Sequence, residues 1–223
     1  MYHLLSDLMS FLMPKRCFYC NNQLLGNEKH LCITCEFNLP KHHQDNLLHQ
    51  LFEHFTQIHT ATAFLAFQKT GISQQVIHNI KYRSNTDLAS YIGELFANKM
   101  KCETNFSADF LIPVPLHPKK RKERGFNQSY CFAAGINKVL QISIDETSLK
   151  RIRYTESQTH KDKASRRKNV KDCFKLENET KFTNKHIVLL DDVITTGATL
   201  EACITVFQHI EGIRISVLCI AMA

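Results

Sequence analysis

An apolar run that ends in two acids and a threonine-rich turn constrains this 223-residue chain more than any other feature. The run, His186–Asp192, shows no polar alternation, which predicts a strand covered on both faces. A turn at Thr195–Thr199, a helix at Leu200–Ile210 and a second apolar strand at Ile213–Met222 follow it. Strand, helix and strand in this order predict an α/β fold with a parallel sheet flanked by helices.

The upstream sequence continues the same alternation. A His-rich polar stretch at residues 41–58 is typical of a linker. Periodicity then predicts strands at Thr60–Phe67 and Phe110–Leu116, and helices at Ile72–Tyr82, Thr86–Met100 and Asn127–Leu140. We therefore expect residues 46–223 to form one α/β domain.

The two acids and the turn lie where such sheets bind ligands, beyond the carboxyl ends of the strands. Gly197 and Ala198 allow the backbone to approach an anion, and the next helix offers unpaired N–H groups. A phosphate monoester suits this turn, and two carboxylates suit the vicinal hydroxyls of a ribose 5-phosphate. A simple helix cap is the alternative. The predicted site comprises Asp191, Asp192, Val193, Thr195, Thr196, Gly197, Ala198 and Thr199.

Four of the nine cysteines form two close pairs, Cys17-Phe-Tyr-Cys20 and Cys32-Ile-Thr-Cys35. Four thiolates at this spacing can bind one Zn²⁺ tetrahedrally, with no position left for water, so a structural zinc is expected. A redox CxxC is the alternative interpretation. The other five cysteines are scattered singly, which is typical of small buried hydrophobic residues in a reducing compartment.

The first apolar stretch, Tyr2–Met13, is too short to span a membrane and has no basic region before it. We interpret it as an amphipathic helix that packs on the body of the protein. Residues 1–45 are thus expected to form this lead-in helix and the zinc module. No membrane association and a cytoplasmic location are expected.

Positive charge is concentrated between Lys119 and Lys171, where fifteen Lys or Arg face five Asp or Glu, a net charge of +10 in a chain whose total is +7. Such a concentration favours polyanions, namely pyrophosphate, nucleotides or nucleic acid, over an ordinary solvated surface.

Residues Ile187–Thr199 resemble the phosphoribosyl pyrophosphate signature of the type I phosphoribosyltransferases almost position for position. In that family the acid pair holds the ribose hydroxyls with the help of Mg²⁺, and the turn holds the 5′-phosphate. The resemblance implies a type I phosphoribosyltransferase-like sheet, catalytic roles for Asp191 and Asp192, and Mg²⁺ bound together with phosphoribosyl pyrophosphate.

A second resemblance is to the ComF family, which includes competence proteins and GntX-type relatives. It rests on Ile112-Pro-Val-Pro-Leu-His-Pro118, on Arg124-Gly-Phe-Asn-Gln128, on Thr155 and Gln158, and on the four-cysteine module ahead of them. By order along the chain, Pro113–Arg124 resembles the loop of type I transferases that contacts pyrophosphate, and Lys150–Lys171 resembles their longer flexible loop that closes over the reaction. The candidate pyrophosphate ligands are Arg121, Arg124, Arg151 and Arg167.

The ComF resemblance implies a role in natural transformation and DNA uptake, and the reaction stays open. One hypothesis is a phosphoribosyltransferase of unknown acceptor. Another is a competence factor that binds single-stranded DNA. The DNA phosphates would contact Lys119–Arg124 and Lys161–Lys171, and the bases would stack on Phe126, Tyr130 and Tyr154. A third is a nucleotide sensor. Partners implied by the resemblance include a competence helicase and DNA-processing proteins, and a homodimer is left open.

Overall fold

A parallel sheet forms the centre of the protein in the computed structural model, which describes residues 14–43, 45–82, 85–104, 106–154 and 172–223. Its strands are β1 (Ile58–Ala66), β2 (Phe110–Pro113), β3 (Ser143–Ile144), β6 (His186–Ile194) and β7 (Arg214–Met222), and a separate antiparallel pair consists of β4 (Leu149–Arg151) and β5 (Phe174–Leu176). The sheet order is β1-β7-β6-β2-β3, with every neighbouring pair parallel. The predicted α/β class is confirmed.

Helices cover the sheet and connect its strands. They are α1 (Ile33–Phe37), α2 (Asp45–Leu51), α3 (Ile72–Tyr82), α4 (Thr86–Glu103), α5 (Pro118–Arg124), α6 (Gln128–Leu140), α7 (Ala198–Phe207) and a 3₁₀ helix, Glu179–Phe182. Asparagine side chains begin two of them: Asn85 Oδ1 accepts a hydrogen bond from Leu88 N, and Asn127 Oδ1 accepts one from Ser129 N. The sequence interpretation missed α2 and α5, which lie in segments it treated as a polar linker and a loop.

Strand β6 is apolar throughout its first half because both of its faces are covered. Val188 and Leu190 belong to one core, together with residues of α3, α4 and α6. Ile187 and Leu189 belong to the other core, together with residues of α2, α7 and the β4–β5 pair. All four side chains are fully buried. The prediction that both faces are covered is confirmed, and this burial fixes the strand that carries the acid pair.

The four-cysteine module packs against the α/β body. Cys17, Cys32 and Cys35 are buried in the same core as α3 and α4. The Tyr91 hydroxyl of α4 donates a hydrogen bond to a carboxylate oxygen of Glu36. These contacts place the module over α3 and α4. The division into residues 1–45 and 46–223 stays a prediction.

Several expectations concern residues outside the described ranges. They are the lead-in helix of Tyr2–Met13 and the greater part of the Lys150–Lys171 loop, with Thr155, Gln158 and Arg167. Within the described ranges, none of the helices combines the length and the apolar character that a membrane crossing needs.

Candidate functional site

The acid pair lies near the end of β6, where two helices reach it. The strand that the sequence predicts to end at Asp192 continues in pairing with β7 to Ile194, so the acids lie inside β6. Ser129 Oγ, from the first turn of α6, lies 3.4 Å from Asp191 Oδ1. Lys81 Nζ, from the last turn of α3, lies 3.3 Å from Asp192 Oδ2. The two carboxylates therefore have different partners.

The environment of Asp191 favours its protonated form. Burial and the neighbouring carboxylate of Asp192 raise the pKa of Asp191 to about 7, although the Asp192 N–H, Lys81 and Ser129 act in the opposite direction. The pair can therefore hold a proton near neutral pH. A bound cation or a ligand hydroxyl would stabilise the ionised carboxylate of Asp191 in place of the water that burial removes.

We expect the Asp191→Asn variant to be more stable than the wild type at pH 8, and by more than at pH 5. The folded pKa of about 7 exceeds the ordinary aspartate value of 3.8. The free energy of unfolding of the wild type therefore falls as pH rises from about 4 to 7, because the buried carboxyl ionises less readily than in the unfolded chain. Asparagine removes this cost, and a gain of about 2 kcal/mol at pH 8 is expected after allowance for partial hydration of the carboxyl. Denaturant unfolding at both pH values measures it, and an equal gain at the two values would contradict the assignment.

The turn after β6 forms a small hollow. Gly197 adopts φ +76° and begins α7, so the backbone turns sharply towards the first N–H groups of that helix. A Cβ on Gly197 would lie 3.4 Å from the Phe52 ring, which packs behind the turn. The hollow measures about 40 Å³ and is lined by Asp191, Val193, Ile194, Thr195, Thr196, Gly197, Ala198, Thr199 and Leu200. The structure thus brings together the predicted site residues, except that Asp192 lies beside the hollow and contacts Lys81.

The predicted pyrophosphate arginines fall into separate places. Burial lowers the pKa of Lys120, and the nearby charges of Arg151 and Arg124 lower it further. The charges of Arg124 and Arg151 therefore both act on Lys120. Arg121 instead forms an ion pair of 2.8 Å with Glu146. Arg124 and Arg151 are thus grouped with Lys120, while Arg121 pairs with Glu146, two residues after β3.

Lys81 links this cluster to the acid pair, because it contacts Asp192 and its charge also lowers the pKa of Lys120. The sequence left Lys81 without an assigned role, since a cation in the last turn of a helix is common for other reasons. Lys120 was missed as well, because nothing in the run Lys119–Arg124 separates it from its basic neighbours. We define the cationic cluster as Lys81, Lys120, Arg124 and Arg151.

The start of α6 lies against both the acid pair and β2. Asn127 caps α6, and its Nδ2 donates a hydrogen bond to Val114 O at 3.1 Å. The cap is therefore its structural role. Gln128 is buried, and its Nε2 makes no hydrogen bond to the part of the chain that the structure describes.

The four cysteines of the N-terminal module converge as the sequence predicted. Their sulfur atoms all lie within 4.8 Å of one another, and the Cys20 and Cys32 sulfurs are 3.6 Å apart. A tetrahedral zinc with Zn–S bonds of about 2.3 Å requires sulfurs about 3.8 Å apart, so the cluster fits zinc closely. Burial raises the pKa of Cys17, but hydrogen bonds from the backbone of Cys20, Cys32 and Tyr19 outweigh it and lower that pKa to about 6. Burial and hydrogen bonds with the other three sulfurs instead raise the pKa of Cys35, so in the absence of metal the negative charge of the cluster is concentrated on Cys17.

Comparison with known proteins gives three informative relatives. The chain is 30% identical over 129 residues to DNA utilization protein YhgH of Escherichia coli O157:H7, with 56% of each chain covered. It is 35% identical over 92 residues to competence protein F of Haemophilus influenzae, covering 41% of this chain and 40% of that protein. It is 24% identical over 128 residues to competence protein ComFC of Bacillus subtilis, covering 57% and 50%. The matched segment spans about half the length of these relatives, and no family model matches the chain.

Solved structures similar to this chain include adenine phosphoribosyltransferase from Thermoanaerobacter pseudethanolicus, at 10% identity and a TM-score of 0.41, with 70% of this chain and 89% of that chain covered. Another is the glutamine phosphoribosylpyrophosphate amidotransferase of B. subtilis, at 19% identity and a TM-score of 0.40, with 63% and 30% covered. The assignment of the α/β fold rests on the parallel sheet and its strand order, β1-β7-β6-β2-β3. The chain is thus similar in sequence to proteins named DNA utilization protein YhgH, competence protein F and competence protein ComFC, in line with the resemblance carried by the motifs.

Proposed function

We propose that the end of β6 and the start of α7 form a site for ribose 5-phosphate, with phosphoribosyl pyrophosphate as its ligand. The observation that carries the proposal is the hollow at Gly197, which is lined by Asp191 together with the three threonines of the turn. The N–H groups at the start of α7 suit the 5-phosphate. The carboxylates of Asp191 and Asp192 suit the two ribose hydroxyls as hydrogen-bond acceptors.

Mg²⁺ fits the proposed site because carboxylate and phosphate oxygens are its preferred ligands. Asp191 and Asp192 would hold it, directly or through water, and the ion would neutralise charge on the pyrophosphate. Its charge would also favour ionisation of Asp191, whose pKa is otherwise raised.

The cationic cluster of Lys81, Lys120, Arg124 and Arg151 supports a transfer reaction in which pyrophosphate departs. Departure leaves positive charge on the ribose carbon and negative charge on the leaving group, which nearby cations stabilise. The protein would then be a phosphoribosyltransferase acting in DNA uptake or use, in line with the names of its relatives. A nucleotide sensor would bind the same ligand without turnover, and pyrophosphate release across a panel of bases separates the two.

Sugar phosphates that differ by one hydroxyl test the ribose contacts. We expect wild-type protein to bind ribose 5-phosphate about tenfold more tightly than 2-deoxyribose 5-phosphate, because the acid pair loses a hydrogen bond to the missing hydroxyl. The Asp191→Asn/Asp192→Asn variant should lose this preference while it keeps affinity for inorganic phosphate. Calorimetry measures both, and a wild type that binds the two sugars equally would remove the acid pair from ribose recognition.

A contact with single-stranded DNA is the second candidate, and a surface on α5 favours it. Helix α5 has no buried residue and carries five Lys or Arg side chains. Lys119 Nζ lies 5.4 Å from the centre of the exposed Tyr154 ring, and the His117 ring packs against the same ring at 5.0 Å. Cations beside an exposed aromatic ring suit a strand of phosphates and unpaired bases.

A further inference from the structure

Three large apolar side chains are exposed on the four-cysteine module, outside the proposed ribose site. Leu25, Ile33 and Phe37 are 68%, 76% and 82% exposed. Helix α1 turns Cys35 into the core, and Ile33 and Phe37 therefore belong to its outward face. Clusters of large apolar side chains on a surface mark interaction sites, whereas single ones are ordinary.

The three side chains form one continuous patch. Ile33 and Phe37 are four residues apart in α1, which puts them on the same face of the helix. Leu25 N and Ile33 N each donate a hydrogen bond of 2.7 Å to the same carboxylate, that of Glu28. This shared carboxylate holds the turn at Leu25 against the start of α1. We call Leu25, Ile33 and Phe37 the module patch.

The chain enters the module at the edge of this patch. Arg16 pairs with Gln23 in an antiparallel bridge, and a backbone hydrogen bond of 2.8 Å extends the pairing one residue further out. Continuing the same register places Pro14, the first described residue, level with Leu25. Residues 1–13, which lie outside the described ranges, are therefore attached beside the patch.

The sequence of this attached segment carries an apolar stripe that matches the patch. Leu4, Leu8 and Phe11, with Leu5 and Leu12 beside them, recur at the spacing of one face of a helix. A helix of twelve residues extends about 18 Å, and one turn of α1 separates the two ends of the patch on that helix by about 6 Å. The stripe is thus long enough to cover the whole patch.

A second copy of the chain fits the patch less well. A standard interface buries roughly 800 Å² on each partner through roughly 20–30 residues, whereas the patch offers three side chains. A segment of the same chain meets the patch at a high effective concentration, so that a small contact area is sufficient.

We infer that residues 1–13 dock on the module patch, with their apolar stripe against Ile33 and Phe37. The lead-in helix expected from the sequence then packs on the zinc module and not on the α/β body. The patch is shielded from water by the chain itself. This inference is independent of the proposed ribose site.

The substitution Phe11→Trp supplies a fluorescent probe of this docking, because the chain has no other tryptophan. It is introduced into the whole chain, alone and together with Ile33→Gln/Phe37→Gln. The matched control adds Leu47→Gln/Ile152→Gln instead, which removes two exposed apolar side chains from the α/β body. The emission wavelength and quenching by acrylamide measure how well the indole is shielded. Zinc analysis of the same samples checks that the module is intact.

The probe alone should emit at short wavelength and resist acrylamide, at every protein concentration tested. Ile33→Gln/Phe37→Gln should shift the emission to that of a solvated indole and increase quenching severalfold, while the control should change neither. If the double substitution removes the zinc, Leu25→Gln takes its place, since Leu25 lies outside α1, and should produce a shift in the same direction.

Three results would overturn the inference. A solvated indole in the probe alone would mean that residues 1–13 leave the patch uncovered. Shielding that survives the patch substitutions, or that the control removes, would place the segment elsewhere on the protein. Shielding that develops only as protein concentration rises would assign the patch to a second copy of the chain.

Discussion

Replacing Gly135 with alanine is expected to destabilise the protein by about 3 kcal/mol, although alanine normally stabilises a helix by about 1 kcal/mol relative to glycine. Helices α4 and α6 cross with their backbones in contact. A Cβ at Gly135 would overlap the Ser90 carbonyl oxygen and would lie 2.7 Å from the Ser90 carbonyl carbon. The obstacle is backbone and cannot rotate aside, so the two helices must separate and open the core behind Asp191.

Urea unfolding of wild type and Gly135→Ala measures the change in the free energy of unfolding. Gly26→Ala is the control, because Gly26 has a positive φ but no described atom lies within 4 Å of the point where its Cβ would stand. It should cost about 1 kcal/mol from backbone strain alone. A Gly135→Ala protein as stable as wild type would mean that α4 and α6 do not cross in this way.

Loss of zinc is expected to have the second large effect. Cys17→Ser should reduce the zinc content of purified protein well below one ion per chain and should open residues 14–39 to protease, because the free energy of metal binding replaces a core that so short a segment cannot build. The α/β body should keep its secondary structure. The contact between Glu36 and Tyr91 should be lost with the module, since Glu36 belongs to α1.

Metal analysis, limited proteolysis and circular dichroism together measure this outcome. Cys102→Ser is the matched control, because Cys102 is exposed and lies outside the cluster of four sulfurs. Wild-type protein purified without chelator and found free of zinc would refute the structural role of the metal. Chelation should reproduce the Cys17→Ser result.

The sequence predicted the sheet and the acid pair because both depend on local patterns. The unbroken apolar run at Ile187–Leu190 could only be a strand buried on both faces, and the acids and the turn follow it directly. Cys17, Cys20, Cys32 and Cys35 were found in the same way, since CxxC spacing itself brings thiolates together. In these cases the chain carries the information within a few consecutive residues.

The rest of the site depends on contacts between distant segments. Lys81 and Asp192 are far apart in sequence and meet only because α3 ends beside β6. Arg121 was grouped with Arg124 by its position in the basic run, but α5 directs it to Glu146. Phe18, in the first CxxC turn, likewise meets α3 only through the packing of distant segments. Sequence periodicity does not predict such long-range contacts, because they depend on tertiary packing.

Titration of the protein with phosphoribosyl pyrophosphate in the presence of Mg²⁺ tests the central proposal most directly. Isothermal calorimetry of wild-type protein should show one saturable site that weakens strongly when Mg²⁺ is removed. The Asp191→Asn/Asp192→Asn variant, with its fold checked by circular dichroism, should bind much more weakly under the same conditions, because only the phosphate turn remains intact. A folded wild-type protein that binds no phosphoribosyl pyrophosphate, or a variant that binds it as tightly as wild type, would contradict the assignment of the ribose 5-phosphate site.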